Sequence, residues 1–157
     1  MATELEIIPY RQELAQNFKD LNIAWLEKYF AVEPKDKEVL SDPDKYIIKQ
    51  GGHIYFAQYG DTVVGTFALL KDEEGVYELG KMAVDEAYQG KNIGNKLLQH
   101  CLEEAKKLGA SKVILFSNTI LGPAIHLYQK YGFQEVPLGH SEYKRSNIKM
   151  EKVINTL

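Results

Sequence analysis

Between Arg11 and Phe30 the apolar positions Leu14, Phe18, Leu21, Trp25 and Tyr29 recur at steps of three and four, which predicts a helix with one buried face. Pro34 ends that period. Asp36 is placed to cap a short second helix, and Ser41-Asp-Pro-Asp44 sets an N-cap candidate beside a proline ahead of a helical stretch over Lys45–Gln50. After Gly51-Gly52 the period drops to two: Ile54 and Phe56 alternate with Tyr55 and Ala57 as far as Gly60-Asp61, a two-residue hairpin turn of the Gly-X kind. Thr62–Leu70 reads as the partner strand, Lys71-Asp-Glu-Glu-Gly75 as the next turn, and Val76–Val84 as a third strand of an antiparallel meander.

Beyond Val84 the helical period returns. Ile93, Leu97, Leu98, Cys101, Leu102, Ala105 and Leu108 form one stripe, with Gly109 where a left-handed C-terminal residue belongs. Lys112–Ser117 is a short β-branched strand, Pro123 suits the first turn of a helix carrying Ile125, Leu127 and Tyr128, and Gly132 closes that helix before Phe133. The last segment, Tyr143–Val153, reads as extended. Helices, three antiparallel strands, helix, strand, helix and strand follow one another without repeats or a long linker, so the expectation is one α+β domain over residues 1–157.

Composition narrows the function classes. With 157 residues, 45% hydrophobic and 26% charged, the chain has the makings of a core and not of a disordered segment. Nineteen Lys and Arg against 22 Asp and Glu leave no basic excess for a nucleic-acid backbone. No apolar run is long enough to span a membrane, and the acidic start Met1-Ala-Thr-Glu-Leu-Glu6 lacks the basic, then apolar, pattern of a signal peptide. The single cysteine, Cys101, cannot form an internal disulfide or a thiolate cage for zinc, and it sits on the apolar stripe as a small hydrophobe. The expected setting is therefore reducing and cytoplasmic, without a metal, a membrane or a nucleic acid as partner. His53, His100, His126 and His140 show no ligand spacing, and His140 alone is kept as a spare base.

The most informative stretch is Tyr88-Gln-Gly-Lys-Asn-Ile-Gly94-Asn-Lys-Leu-Leu98, a glycine-containing turn between a strand and a helix. Free amides of such a turn, with the positive end of the helix dipole, suit a phosphate. It is not the nucleotide P-loop, since only three residues separate Gly90 from Gly94 and Lys96 is followed by Leu97. Nor is it the dinucleotide fingerprint, because the strand before it belongs to a meander and not to a βαβ unit. On the neighbouring strand, simple alternation puts Val76, Glu78, Gly80, Met82 and Val84 on one face, so that Glu78 is a carboxylate in an apolar row.

Lys81-Met-Ala-Val84, Tyr88-Gln-Gly-Lys-Asn-Ile-Gly94 and Ala124-Ile-His-Leu-Tyr-Gln-Lys-Tyr-Gly-Phe133 together resemble the GNAT N-acetyltransferase superfamily, over most of the chain. The resemblance implies a mixed, mostly antiparallel central sheet flanked by helices and acetyl-CoA as acyl donor. It implies that the loop Gln89, Gly90, Lys91, Asn92, Ile93, Gly94 and Asn95 holds the pyrophosphate, with Asn92 standing where the family usually has glycine. It implies that Met82, Ala83 and Val84 pair with the pantetheine arm and offer amides to the thioester oxygen, and that Tyr128 protonates the leaving thiolate. Asn118 resembles an asparagine that contacts CoA, at a longer spacing than usual. Glu78 is the candidate general base for the attacking amine, and Trp25, Tyr29 and Glu33 fall in the region that covers the acceptor pocket. The acceptor is a small-molecule or peptide amine, and homodimers are common in the family. Two other readings stay open: a non-catalytic acyl-CoA-binding sensor, which needs the loop but no base, and transfer of a longer acyl group, decided by pocket depth near Leu79, Phe116 and Tyr128.

Overall fold

The computed structural model describes residues 4–154. Seven strands form one sheet in the order β1-β2-β3-β4-β5-β7-β6: β1 Leu5–Pro9, β2 His53–Tyr59, β3 Thr62–Lys71, β4 Val76–Val84, β5 Lys112–Ser117, β6 Gln134–Val136 and β7 Ile148–Val153. All neighbours are antiparallel except β4 and β5, which run parallel over Val76–Leu79 and Lys112–Leu115. Helices α1 (Ala15–Tyr29) and α2 (Pro34–Ser41) cover one face, where Phe18, Leu26, Val39 and Leu40 pack on Ile54, Phe56 and Ala68. The other face carries α3 (Ile93–Lys107), whose stripe Ile93, Leu97, Leu98, Cys101 and Ala105 packs on Phe67, Leu69, Leu79 and Leu115. Helix α4 (Gly122–Lys130) joins that second layer through Ile125, Leu127 and Tyr128. The α+β class and the mostly antiparallel sheet expected from the element order are what the chain adopts.

Local sequence explains the joints. Gly65 lets α3 lie close on β3, because a Cβ there would come within 3.2 Å of Leu97 and 3.3 Å of Ile93. At the end of α4 the Phe133 amide bonds back to the Tyr128 carbonyl at 3.0 Å, with Gly132 left-handed at φ +93°, which is the glycine-dependent helix stop.

In its elements the structure departs from the sequence reading in four places. Leu5–Pro9, which lacks clean alternation, forms the edge strand β1 against β2, and the terminal proline is tolerated because an edge strand need not donate on its open side. Helix α1 begins at Ala15, with Gln12–Leu14 as a 3₁₀ turn before it. Asp36 does not cap α2 as its N-cap. Glu33 holds that position and Asp36 is the third helical residue, its carboxylate accepting from the Glu33 amide at 2.9 Å in a reciprocal capping box. Finally, the extended segment starts at Ile148, preceded by the short strand β6, and residues 143–147 are turns and coil pinned to other elements by their side chains. No described helix is long and apolar enough to cross a membrane.

Candidate active site

Strand β4 is where the sheet opens. Its ladder with β3 continues to the pair Gly65 and Val84, but its ladder with β5 stops at Leu79 and Leu115. From Gly80 to Val84, β4 therefore turns an edge without strand partners toward β5, and a cleft of about 680 Å³ fills the opening. Its floor is Leu79–Val84 and its far wall is Leu115–Asn118. The loop residues Gln89, Gly90, Asn92, Ile93 and Gly94 close one end, and Ala124, Leu127 and Tyr128 of α4 form a side. Trp25 and Leu26 of α1 and Phe30 just beyond it, with Asp36, Lys81, Tyr143 and Arg145, form the other end.

The loop end is shaped by two left-handed residues. Asn92 sits in the left-handed region at φ +64°, ψ 23°, which asparagine adopts more readily than other non-glycine residues, and Gly90 is left-handed at φ +82°. The first capturing bond of α3 runs from the Lys96 amide to the Asn92 carbonyl at 3.2 Å. Among the described residues the amides from Gly90 to Asn95 have no backbone acceptor, and Gly90, Asn92, Ile93 and Gly94 line the cleft at the positive end of α3. The Lys91 side chain is exposed and, like Asn95, is not part of the cleft lining; Asn95 instead accepts a hydrogen bond from the Tyr131 hydroxyl and ties α3 to the end of α4.

At the centre, a β-bulge changes the face assignments. Thr66 pairs with Ala83 and Ala68 with Gly80, so Lys81 and Met82 together oppose Phe67, and Lys81 takes the left-handed φ of +54°. Alternation inverts there. Glu78 and Gly80 share a face with Ala83, whereas Met82 and Val84 turn to the face of Leu79 and pack toward α3. The expected row of Val76, Glu78, Gly80, Met82 and Val84 is thus broken after Gly80, because one inserted residue reverses every side chain beyond it.

Glu78 lies in the cleft beside Gly80, where a Cβ would stand 3.5 Å from its carboxylate. Burial pushes its pKa up to about 7, Asp72 and Glu142 add to the rise, and Lys81 opposes it. No Lys or Arg nitrogen among the described residues comes within ion-pair distance of it. Tyr128 packs edge-on against Phe133, with ring centroids 5.9 Å apart, and burial pushes its phenol up to about 12, so it stays protonated across the working range. Cys101 is fully buried in the α3 stripe and its thiol is pushed up by that burial, which removes it as a nucleophile.

At the other end lies a cluster that periodicity did not reveal. Asp36, fully buried, receives Arg145 through two bonds of 2.7 and 2.9 Å and Lys81 at 3.1 Å. Burial alone would raise the Asp36 carboxyl, but the Arg145 bonds, the Glu33 amide and the Lys81 charge hold it below the usual range. Lys81 also donates to the Tyr143 hydroxyl at 2.9 Å, and both Lys81 and Arg145 lie over the Tyr143 ring. Glu33 is consumed here: its carboxylate accepts from the Lys144 amide at 3.0 Å and from Arg145 at 3.2 Å, and it is not part of the cleft lining. Tyr29 also falls outside, facing a smaller neighbouring hollow, while Trp25 lines the cleft with its ring tilted against Phe30. Asn118 lines the cleft, but its carboxamide donates to the Arg145 carbonyl and accepts from the Ile120 amide, so it anchors the segment that carries Arg145. His140 is exposed and away from the cleft. The one local signal for the cluster was the proximity of Glu33 to Asp36; the partners on residues 143–145 are more than 100 positions away.

The acetyltransferase (GNAT) family model matches residues 18–133. The chain is 34% identical over 113 residues to the uncharacterized N-acetyltransferase YvbK of Bacillus subtilis, covering 70% of this chain and 73% of that protein. A GNAT-family acetyltransferase structure from Staphylococcus aureus Mu50 superposes with a TM-score of 0.85 at 20% identity, over 97% of this chain and all of that one. A Bacillus subtilis acetyltransferase solved in complex with CoA superposes with a TM-score of 0.75 at 23% identity, over 97% and 100% of the two chains.

Proposed function

Since this chain belongs to the GNAT family of acetyltransferases, we propose that it transfers an acetyl group from acetyl-CoA to a primary amine by direct attack, both substrates being bound at once. The observation that carries this reading is the run of elements along one cleft: free amides at the α3 end, an open β4 edge, and a carboxylate tuned to about 7 beside that edge. Residues 1–157 act as a single catalytic domain. Acetyl-CoA supplies the thioester, and the residues present fit its parts in order.

The amides of Gly90 to Asn95 take the pyrophosphate oxygens, with Gly94 leaving the approach clear: a Cβ there would meet nothing nearer than Leu127 at 4.0 Å. The open β4 edge at Met82, Ala83 and Val84 pairs with the amide groups of the pantetheine arm, and an N–H near Met82 or Val84 donates to the thioester oxygen, where negative charge grows during attack. Glu78 accepts the proton that the amine must lose. A carboxylate with pKa near 7 is half ionised at neutral pH and basic enough to help, where one near its ordinary 4.5 would be a weaker base. In the transfer a nitrogen–carbon bond forms and the carbon–sulfur bond breaks. The amine proton goes to Glu78 directly or through water, and Tyr128 donates a hydrogen bond to the departing sulfur. Because a thiol's ordinary pKa is about 8.5, that assistance is modest. The buried state of Cys101 supports direct attack over an acyl-enzyme route.

The test is incubation with acetyl-CoA and a panel of primary amines, following CoA thiol release and the acetylated amine by mass spectrometry. Amine-dependent release with matching acetyl-amine supports the reading. Acetyl-CoA binding without any amine-dependent turnover would replace it with the sensor reading.

A further inference from the structure

At the α1 end of the cleft the lining side chains carry more hydrogen-bond donors than acceptors. Asp36, the carboxylate that lines this end, is saturated by four bonds from Arg145, Lys81 and the Glu33 amide, while Glu33 lies outside the lining and accepts from Lys144 and Arg145. The donors are not. Arg145 carries five N–H groups and spends three; Lys81 carries three and spends two; Tyr143 accepts from Lys81 and keeps its own O–H. All three line the cleft, and the two cations are largely buried, with side chains 7% and 16% exposed. Surplus donors in a half-desolvated cleft favour an anionic acceptor group, and a guanidinium favours a carboxylate in particular.

The backbone is bent to make this arrangement. Regular alternation would send the Lys81 side chain toward α3 with Tyr77 and Leu79. The bulge turns it instead to Asp36 on the α2 side, at the cost of a left-handed φ of +54° on a non-glycine residue. Thus surplus donors stand three residues along β4 from Glu78, the one cleft carboxylate left without a cationic partner among the described residues.

We propose that the acceptor is a small amino acid, an amine with a carboxylate a few bonds away, and that Arg145, Lys81 and Tyr143 select it by receiving the carboxylate while the amine lies at Glu78. This rests on the acetyl-transfer reading for the chemistry but not for the binding. Trp25 and Phe30 face the same end of the cleft and leave an apolar or aromatic side chain room to pack.

The experiment compares matched amines: amino acids, the corresponding amino-acid amides, and the corresponding amines without the carboxyl group. Turnover is read by thiol release, and binding by calorimetry with and without CoA. The expected result is a kcat/KM at least tenfold higher for the amino acid than for either partner, carried mainly by KM. In Tyr143→Phe, which keeps the ring under both cations, that ratio should shrink several-fold. Arg145→Lys, checked for folding by circular dichroism, should shrink it further. Equal or better use of the amides overturns the proposal and points to a peptide N-terminus as acceptor. Equal use of the decarboxylated amines also overturns it. If acetyl-CoA is not bound but amino acids still bind in preference to their amides, the acetyl-transfer reading fails and the carboxylate site stands.

Discussion

Replacing Glu78 with glutamine should move activity and stability in opposite senses, a combination that separates a catalytic base from a structural carboxylate. In the folded protein Glu78 has a pKa of about 7, raised chiefly by burial from 4.5. A raised folded pKa means that the folded state is favoured by the protonated form. That contribution is fully present below the unfolded value of 4.5 and is lost as the pH rises through about 7. The difference of roughly 2.5 units corresponds to about 3 kcal/mol at full ionisation, as an upper figure for a side chain that reaches the cleft. Glutamine does not titrate. Urea unfolding of Glu78→Gln should therefore gain on the wild type by up to about 3 kcal/mol between pH 5 and pH 8. Over the same range its kcat/KM should be about 10²-fold lower or more, as befits loss of a general base. The wild-type pH–rate profile should carry an acid limb near 7 that the variant lacks. Any limb left in the variant belongs to the amine and shifts when an amine of different pKa is used. A variant that loses stability relative to the wild type as the pH rises, or whose profile and kcat/KM match those of the wild type, would rule out Glu78 as the buried base.

Three other outcomes follow from the same geometry. Tyr128→Phe should lower kcat only about tenfold, because the thiolate is already a tolerable leaving group; a loss beyond 10³-fold by steady-state kinetics would mean Tyr128 does more than assist departure. Asp36→Asn leaves Arg145 and Lys81 facing one another in a buried site, and should cost about 3–5 kcal/mol in urea unfolding at pH 7. Because the Asp36 carboxyl is held below its ordinary value, that advantage of the wild type should be lost as the pH falls toward the acid range, not as it rises. Lys81→Met removes a charge that opposes the rise at Glu78, so the acid limb of the pH–rate profile should move to higher pH; a move to lower pH would contradict the placement of Lys81.

The loop end of the cleft was legible in the sequence because all of it is local: the glycine-containing turn, the helix that follows and the positive φ of Asn92 lie within one short stretch. Glu78 was legible as a charge on an apolar strand. The bulge was not, since Lys81-Met82 resembles any strand pair and only the register against Phe67 shows the insertion. That inserted residue moves Met82 and Val84 to the opposite face from the one alternation predicts. Residues Tyr143 to Asn147 contain apolar, charged and polar groups that fit a strand, but their order comes from bonds to Glu33, Asp36 and Ser117, which no local pattern encodes. The same contacts hold the Glu33 carboxylate on Lys144 and Arg145, outside the cleft lining.

On the proposed reading this cleft holds acetyl-CoA with its pyrophosphate on the loop from Gln89 to Gly94. Calorimetric titration with acetyl-CoA and with CoA, repeated on Gly94→Trp, tests it most directly. The wild type should bind both with one-to-one stoichiometry, and the variant, still folded by circular dichroism, should bind at least 10²-fold more weakly, since the indole would occupy the space that Gly94 leaves open. A folded wild type that binds neither would rule out acetyl-CoA as the donor, and a Gly94→Trp variant that binds as well as the wild type would rule out the loop as the pyrophosphate site.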